Sequence, residues 1–156
     1  MGIIPVFSDI SQGEGDMNPS TRSQTVRFRR AFWKNYAEVQ PGTPKAERFL
    51  TGYGISNPRY RVKKPDLSIK QWLGSDTVGI SVVGRNNEPP SKVRQRTDPF
   101  RKSFEEEFED VTYNDSNWWF VSSFTCEGGT RNFWIWDEAA AWLEERRKRY
   151  EEILSR

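Results

Sequence analysis

Arg27, Arg30, Lys34, Arg59, Tyr60, Arg61, Lys63, Lys64, Arg94, Arg96 and Arg101 interleave fixed positive charge with aromatic rings. That mixture is the composition of a groove in which cations neutralise phosphates and rings stack on bases. Residues 21–104 carry 18 Lys and Arg against 6 Asp and Glu, a local +12; residues 105–127 carry 7 acids and no base. The formal net charge of +2 conceals this segregation, which sets up a field able to draw in an anionic partner. The same pattern also describes solvated cationic faces that pair with the acidic segment within one molecule. No RNP, KH, zinc-finger or helix-turn-helix signature decides between the two.

Catalytic chemistry is constrained by an absence. The chain has no histidine, which removes Ser-His-Asp and Cys-His arrangements, His-ligated metals and the commonest general base. Pro65-Asp66 followed by Ile69-Lys70 offers half of the acid-and-lysine set of a metal-dependent nuclease. Ser68 stands where the second carboxylate belongs, so Asp66 reads as a loop residue. Cys126 is the only cysteine; it permits no intramolecular disulfide, and with no His base beside it reads as a buried or strand-end thiol. Gly52-x-Gly54 and Gly79 to Gly84 lack phosphate-loop and dinucleotide spacing. No catalytic residue, metal site or cofactor is expected. Trp119, Trp134 and Trp136 are a further candidate, either a protein-binding surface or a face covered by the last helix through Trp142 and Tyr150.

The elements that would position these residues follow from periodicity. A helix is expected from Asn18-Pro19 or Thr21 to Pro41-Gly42, with Phe28, Phe32, Tyr36 and Val39 on one stripe. Arg59 to Lys63 reads as a strand with one charged face, and Leu67 to Trp72 and Thr77 to Val83 as better strands joined near Gly74-Ser75-Asp76. Arg85 to Arg96, with Pro89-Pro90, reads as a basic loop. Asp98-Pro99 marks a second helix whose Phe100, Phe104, Phe108 and Val111 face the core and whose acids form a solvent pole. Asn117 to Cys126, Gly128-Gly129 and Arg131 to Trp136 read as a β-hairpin with a two-residue turn. In its register Trp118 and Phe120 share one face and Trp119 and Val121 the other. Asp137 caps a final helix carrying Ala139, Trp142, Leu143, Arg146, Tyr150, Ile153 and Leu154 on one stripe.

The expected fold is α+β: a small, mainly antiparallel sheet of about four or five strands packed with three helices. The chain of 156 residues suits one domain over 21–156, behind a flexible segment 1–20 with a short apolar start. Its 7 Trp, 10 Phe and 5 Tyr nearly equal its 23 Ile, Leu and Val, so the core should be rich in rings. No apolar run reaches the roughly 20 residues that span a bilayer, and no signal-peptide pattern appears, so a cytoplasmic setting without membrane contact is expected.

Arg30-Ala31-Phe32-Trp33, Val78 to Val82, Phe104 to Asp110 and Ala141 to Leu154 together carry a resemblance across residues 22–156. The chain resembles an uncharacterised prokaryotic domain often found C-terminal to PD-(D/E)XK-type nuclease domains. The resemblance implies an accessory, non-catalytic role beside DNA-processing or defence enzymes, and carries no catalytic residue across. The function expected is therefore binding of nucleic acid, or of a nucleic-acid-bound protein complex, through the basic surface. The alternative is a small phage-type inhibitor or adaptor that holds a protein partner with its charge poles and tryptophan face.

Overall fold

The computed structural model of the protein describes residues 19–40, 42, 50–51, 54–55, 57–85, 87–113 and 118–156. The expected apolar start and Gly-rich linker lie outside them.

The fold is α+β. Helix α1 (Pro19–Val39) opens on its proline, whose missing N–H costs nothing in a first helical turn. Phe28, Phe32, Trp33 and Tyr36 are buried along one side, and Val39 is left exposed. A two-residue ladder, β1 (Leu50–Thr51) and β2 (Gly54–Ile55), precedes the main sheet. That sheet is antiparallel, with strands β3 (Arg59–Val62), β4 (Leu67–Leu73), β5 (Thr77–Val83) and β6 (Trp119–Thr125) adjacent in chain order. Helix α4 (Trp136–Leu154) packs on β4 and β5, and α1 packs on α4.

Strict alternation assigns the two sheet faces. Leu67, Ile69, Gln71 and Leu73 of β4 are buried, and Ser68, Lys70 and Trp72 between them are half-buried. The buried set faces the helices: Gln71 Nε2 donates to the Tyr36 hydroxyl at 2.9 Å and to the Leu143 carbonyl at 3.2 Å. Tyr60 and Val62 continue that face on β3, while Arg59 and Arg61 point the other way.

Three expectations need correction. The segment read as a basic loop is helical from Pro90, so Pro89-Pro90 is a helix start, with the second proline in the first turn. Helix α2 (Pro90–Thr97) runs through a 3₁₀ turn (Asp98–Phe100) into α3 (Arg101–Glu107). Pro99 breaks the α pattern there because it has no N–H to donate. Phe108 is already extended, at φ −131° and ψ 130°, so the helix ends before Val111. The three helical units are thus α1, α2–α3 and α4.

The second correction concerns the hairpin, which does not form. After Gly128-Gly129 (φ +82° and +91°) the chain turns away. The Thr130 N–H and hydroxyl both donate to the Ser75 carbonyl, which ties this turn to the β4–β5 connection. Phe133–Ile135 then forms a 3₁₀ turn, and Trp136 begins α4 with its Nε1 donating to the Thr130 carbonyl at 2.6 Å. Asp137 therefore lies inside the first turn and does not cap it.

The third is a bulge in β6. Between Ile80 and Val82 of β5 there is one residue; between their partners Ser122 and Trp119 there are two. Phe120 takes φ +54° there, so Trp119 and Phe120 both enter the core. Phe120 stacks on Phe104 at 4.0 Å with the rings 7° from parallel, and Tyr150 donates to its carbonyl at 2.6 Å.

Candidate nucleic-acid interface

None of the described helices packs on the reverse face of the sheet. In register, Arg61 and Ser68 form one row with Val83, Arg59 and Lys70 a second with Ser81, and Trp72 and Gly79 a third with Ser123. Trp72 lies flat across β5: a Cβ at Gly79 would come within 1.9 Å of its ring, so only glycine leaves room for the indole. Trp118, immediately before β6, sets its ring 6.1 Å from Trp72 at 53°. Lys70 Nζ sits 4.5 Å from the centre of the Trp118 ring. Two indoles thus share the reverse face with Arg59, Arg61 and Lys70, and Ser81 and Val83 of β5 are buried on that face. Gly79→Ala should cost about 1–3 kcal/mol in urea unfolding through overpacking and shift the tryptophan emission as Trp72 is displaced. Unchanged emission and stability would show that Trp72 does not depend on that close approach.

The structure separates the residues that composition grouped. Arg27, Arg30 and Lys34 are exposed on α1, on the helix side of the sheet. Because Tyr36 reaches Gln71 and Lys70 points the opposite way, these three do not join the strand cations. The strand and the Pro-Pro segment do meet, at the β3–β4 turn. There Asp66 (φ +65°) accepts from Arg61 at 3.2 Å and pairs with Arg85, and Arg96 donates to the Asp66 carbonyl at 3.3 Å. Lys63 and Lys64 are exposed on the same turn and Arg94 on α2.

Several cations are committed internally. Arg96 is bidentate to Glu88, at 2.6 and 2.7 Å, and spans α2 by bonding the Lys92 carbonyl. The Arg96 hydrogen bonds hold the Glu88 carboxyl down at about 2, against the opposing effect of burial. A carboxylate depressed in the fold stabilises it above its unfolded value of 4.5 and loses that contribution as pH falls toward 2. Acid titration should therefore show unfolding in that window that Glu88→Gln moves to higher pH; identical midpoints would contradict the assignment. Arg101 pairs with Glu105 at 2.8 Å and lies 4.7 Å over the Tyr113 ring.

Tyr60 is buried in the core with the Arg147 guanidinium 5.2 Å over its ring, so it is no stacking platform. Trp72 and Trp118 take that place. The signal was available in the sequence: Trp72 stands two residues from Lys70 on one strand face, with Gly79 in the neighbouring strand. The expected tryptophan face is dismantled. Trp119 and Trp136 are buried, and Trp134 alone is exposed, at 73%, beside Phe133 at 69%. Trp136 packs under Phe28 and Phe32 of α1.

The acidic pole pairs mostly with helix arginines. Glu107 bonds Arg149 at 3.0 Å, Asp110 bonds Arg146 at 3.0 Å, and Glu105 and Glu106 pair within α3. On the reverse sheet face Arg61 is paired with Asp66, and Lys70 lies against Trp118. Cys126 is buried, and burial pushes its thiol up to about 11, so it is not a thiolate at neutral pH. Among the described residues no group of three or more His, Cys, Asp or Glu is placed to hold a metal ion, and no helix is long and apolar enough to cross a membrane.

The class the structure defines is an α+β domain with a four-stranded antiparallel sheet, helices on one face and tryptophans with basic side chains on the other. Compared with protein-family models, curated proteins and solved structures, the chain matches none.

Proposed function

We propose that the protein binds single-stranded nucleic acid across the open sheet face, without catalysing a reaction, as an accessory to a nucleic-acid-processing or defence complex. The observation that carries the reading is the pair Trp72 and Trp118 with Lys70 against them, on a face that none of the described helices covers. Bases stack on the indoles while Arg59, Arg61 and Lys70 track phosphates. The resemblance to a domain adjoining nucleases fits such an accessory role. Fluorescence anisotropy with a labelled oligothymidylate tests it. Three phosphate contacts give a slope near −0.7 per contact, so affinity should fall about 20-fold between roughly 50 and 200 mM salt. Tryptophan emission should be quenched on binding. Charge reversal of Arg27, Arg30 and Lys34 should change affinity less than about twofold, since α1 faces away; a larger loss, or no binding at about 50 mM salt, rejects the sheet face.

A second reading, a protein partner, is favoured by the exposure of the adjacent Phe133 and Trp134. Replacing both with Ser should leave oligonucleotide binding intact and abolish capture of any such partner.

A further inference from the structure

Lys70 differs from the exposed lysines Lys34, Lys63, Lys64, Lys92, Lys102 and Lys148. It is half-buried against Trp118, and no carboxylate among the described residues pairs with it. Its cross-strand partner on β3 is Arg59, a like charge. On the other side stands Ser81, fully buried, whose Oγ finds no hydrogen-bond partner among the described residues. Burial first, and then Arg59, push the Lys70 amine down to about 8. At pH 7.5 that leaves on the order of 100-fold more neutral amine than an ordinary lysine has. A desolvated lysine beside a second cation is the arrangement that turns an ammonium into a nucleophile toward carbonyls.

We infer that Lys70 captures an aldehyde carried by the bound strand as an imine, the open-chain sugar of an abasic site being a carbonyl of that class. The inference rests on the nucleic-acid reading for delivery of the aldehyde and on the surroundings of Lys70 for the reaction. The neutral Nζ gives its lone pair to the aldehyde carbon, and the carbonyl π pair moves to oxygen. Oxygen gains a proton and nitrogen loses one, forming a carbinolamine. A further proton from solvent lets the hydroxyl leave as water, and the nitrogen lone pair closes the C=N bond of a protonated imine. Nothing is oxidised or reduced. The Trp118 ring holds the cationic imine as it holds the ammonium. Hydrolysis reverses the step, so the capture is stoichiometric.

The test incubates the full chain with a single-stranded oligonucleotide containing one abasic site, then reduces with cyanoborohydride. An intact oligonucleotide serves as the binding control, and glycolaldehyde as a carrier-free aldehyde. The expected result is a covalent adduct whose peptide map places it on Lys70 at least tenfold above any other lysine, and which Lys70→Arg removes. If the intact strand binds and no adduct forms, or adducts spread over Lys63, Lys64 and Lys92, the inference is overturned and the binding reading stands. If the intact strand does not bind, the binding reading falls. Capture from a strand then falls with it, and glycolaldehyde tests the nucleophile by itself: labelling spread evenly over the lysines overturns the reactivity of Lys70 too, and labelling concentrated on Lys70 leaves an amine reactive only toward free aldehydes.

Discussion

Glu144→Ala should lower the stability of the fold by about 3 kcal/mol, because it takes the one buried carboxylate from a buried guanidinium. Arg147 is 4% exposed and Glu144 3%, and two parallel bonds of 2.8 Å join them. The same carboxylate accepts from the Tyr36 hydroxyl at 2.8 Å, and that hydroxyl accepts from Gln71. One side chain thus ties α1, α4 and the centre of the sheet. Burial and the neighbouring carboxylate push the Tyr36 phenol well above its ordinary range, so it remains a donor at any pH at which the protein folds. Burial opposes the charge on Arg147, yet the Glu144 hydrogen bonds more than offset it and raise its pKa. Removing Glu144 leaves a buried guanidinium held only by the half-exposed Glu151, at 2.9 Å, and an unsatisfied hydroxyl together. Urea unfolding at constant m-value reads the loss. The triple change Tyr36→Phe, Glu144→Leu, Arg147→Met should recover most of it, since apolar groups of similar volume can replace a buried pair. A loss below about 1 kcal/mol for Glu144→Ala would mean that water reaches the pair.

This network also marks where the sequence was legible and where it was not. The apolar stripe of α4 was readable because Ala139, Leu143, Tyr150, Ile153 and Leu154 recur at helical spacing, and all five are buried. The charged face of β3 was readable from simple alternation, and β5 falls on the expected residues. Glu144 and Arg147 resemble any solvated helix pair at i, i+3; only the tertiary position of Tyr36 and Gln71 draws them inside. No local rule contains that information.

The hairpin failed for a related reason. Phe133-Trp134-Ile135-Trp136 is a short run of apolar residues, and periodicity cannot assign such a run to strand or helix. Trp136 decided it by binding the Thr130 carbonyl and packing under α1. The β6 bulge reversed the faces of consecutive aromatics, placing Trp119 and Phe120 together inside and leaving Trp118 with Trp72. Binding residues were therefore half legible. Arg59 and Arg61 were found from their alternation, whereas Trp118 became a candidate only once the bulge fixed its side. The charge map was misleading about α1, whose cations are real but separated from the sheet face by the helical layer.

The largest effect on binding should come from the double variant Trp72→Ala, Trp118→Ala, with oligonucleotide affinity falling about 30-fold or more, since each stacked base contributes about 1–3 kcal/mol. The two rings are half-buried on the open face, so their loss leaves the core on the helix side intact. Melting curves should confirm that the variant folds before affinity is compared. The salt dependence separates this contribution from charge. Removing rings should lower affinity at every salt concentration with little change in slope, whereas Lys70→Gln should reduce the slope by about 0.7. Trp72→Phe with Trp118→Phe should restore part of the affinity, because a smaller ring still offers a face to a base. If the alanine variant binds as tightly as the parent, the indoles are not a platform, and the attraction to the strand is electrostatic alone. If affinity falls and the phenylalanine pair does not restore it, the indoles act by holding Lys70 in place, since the ammonium lies against one of them.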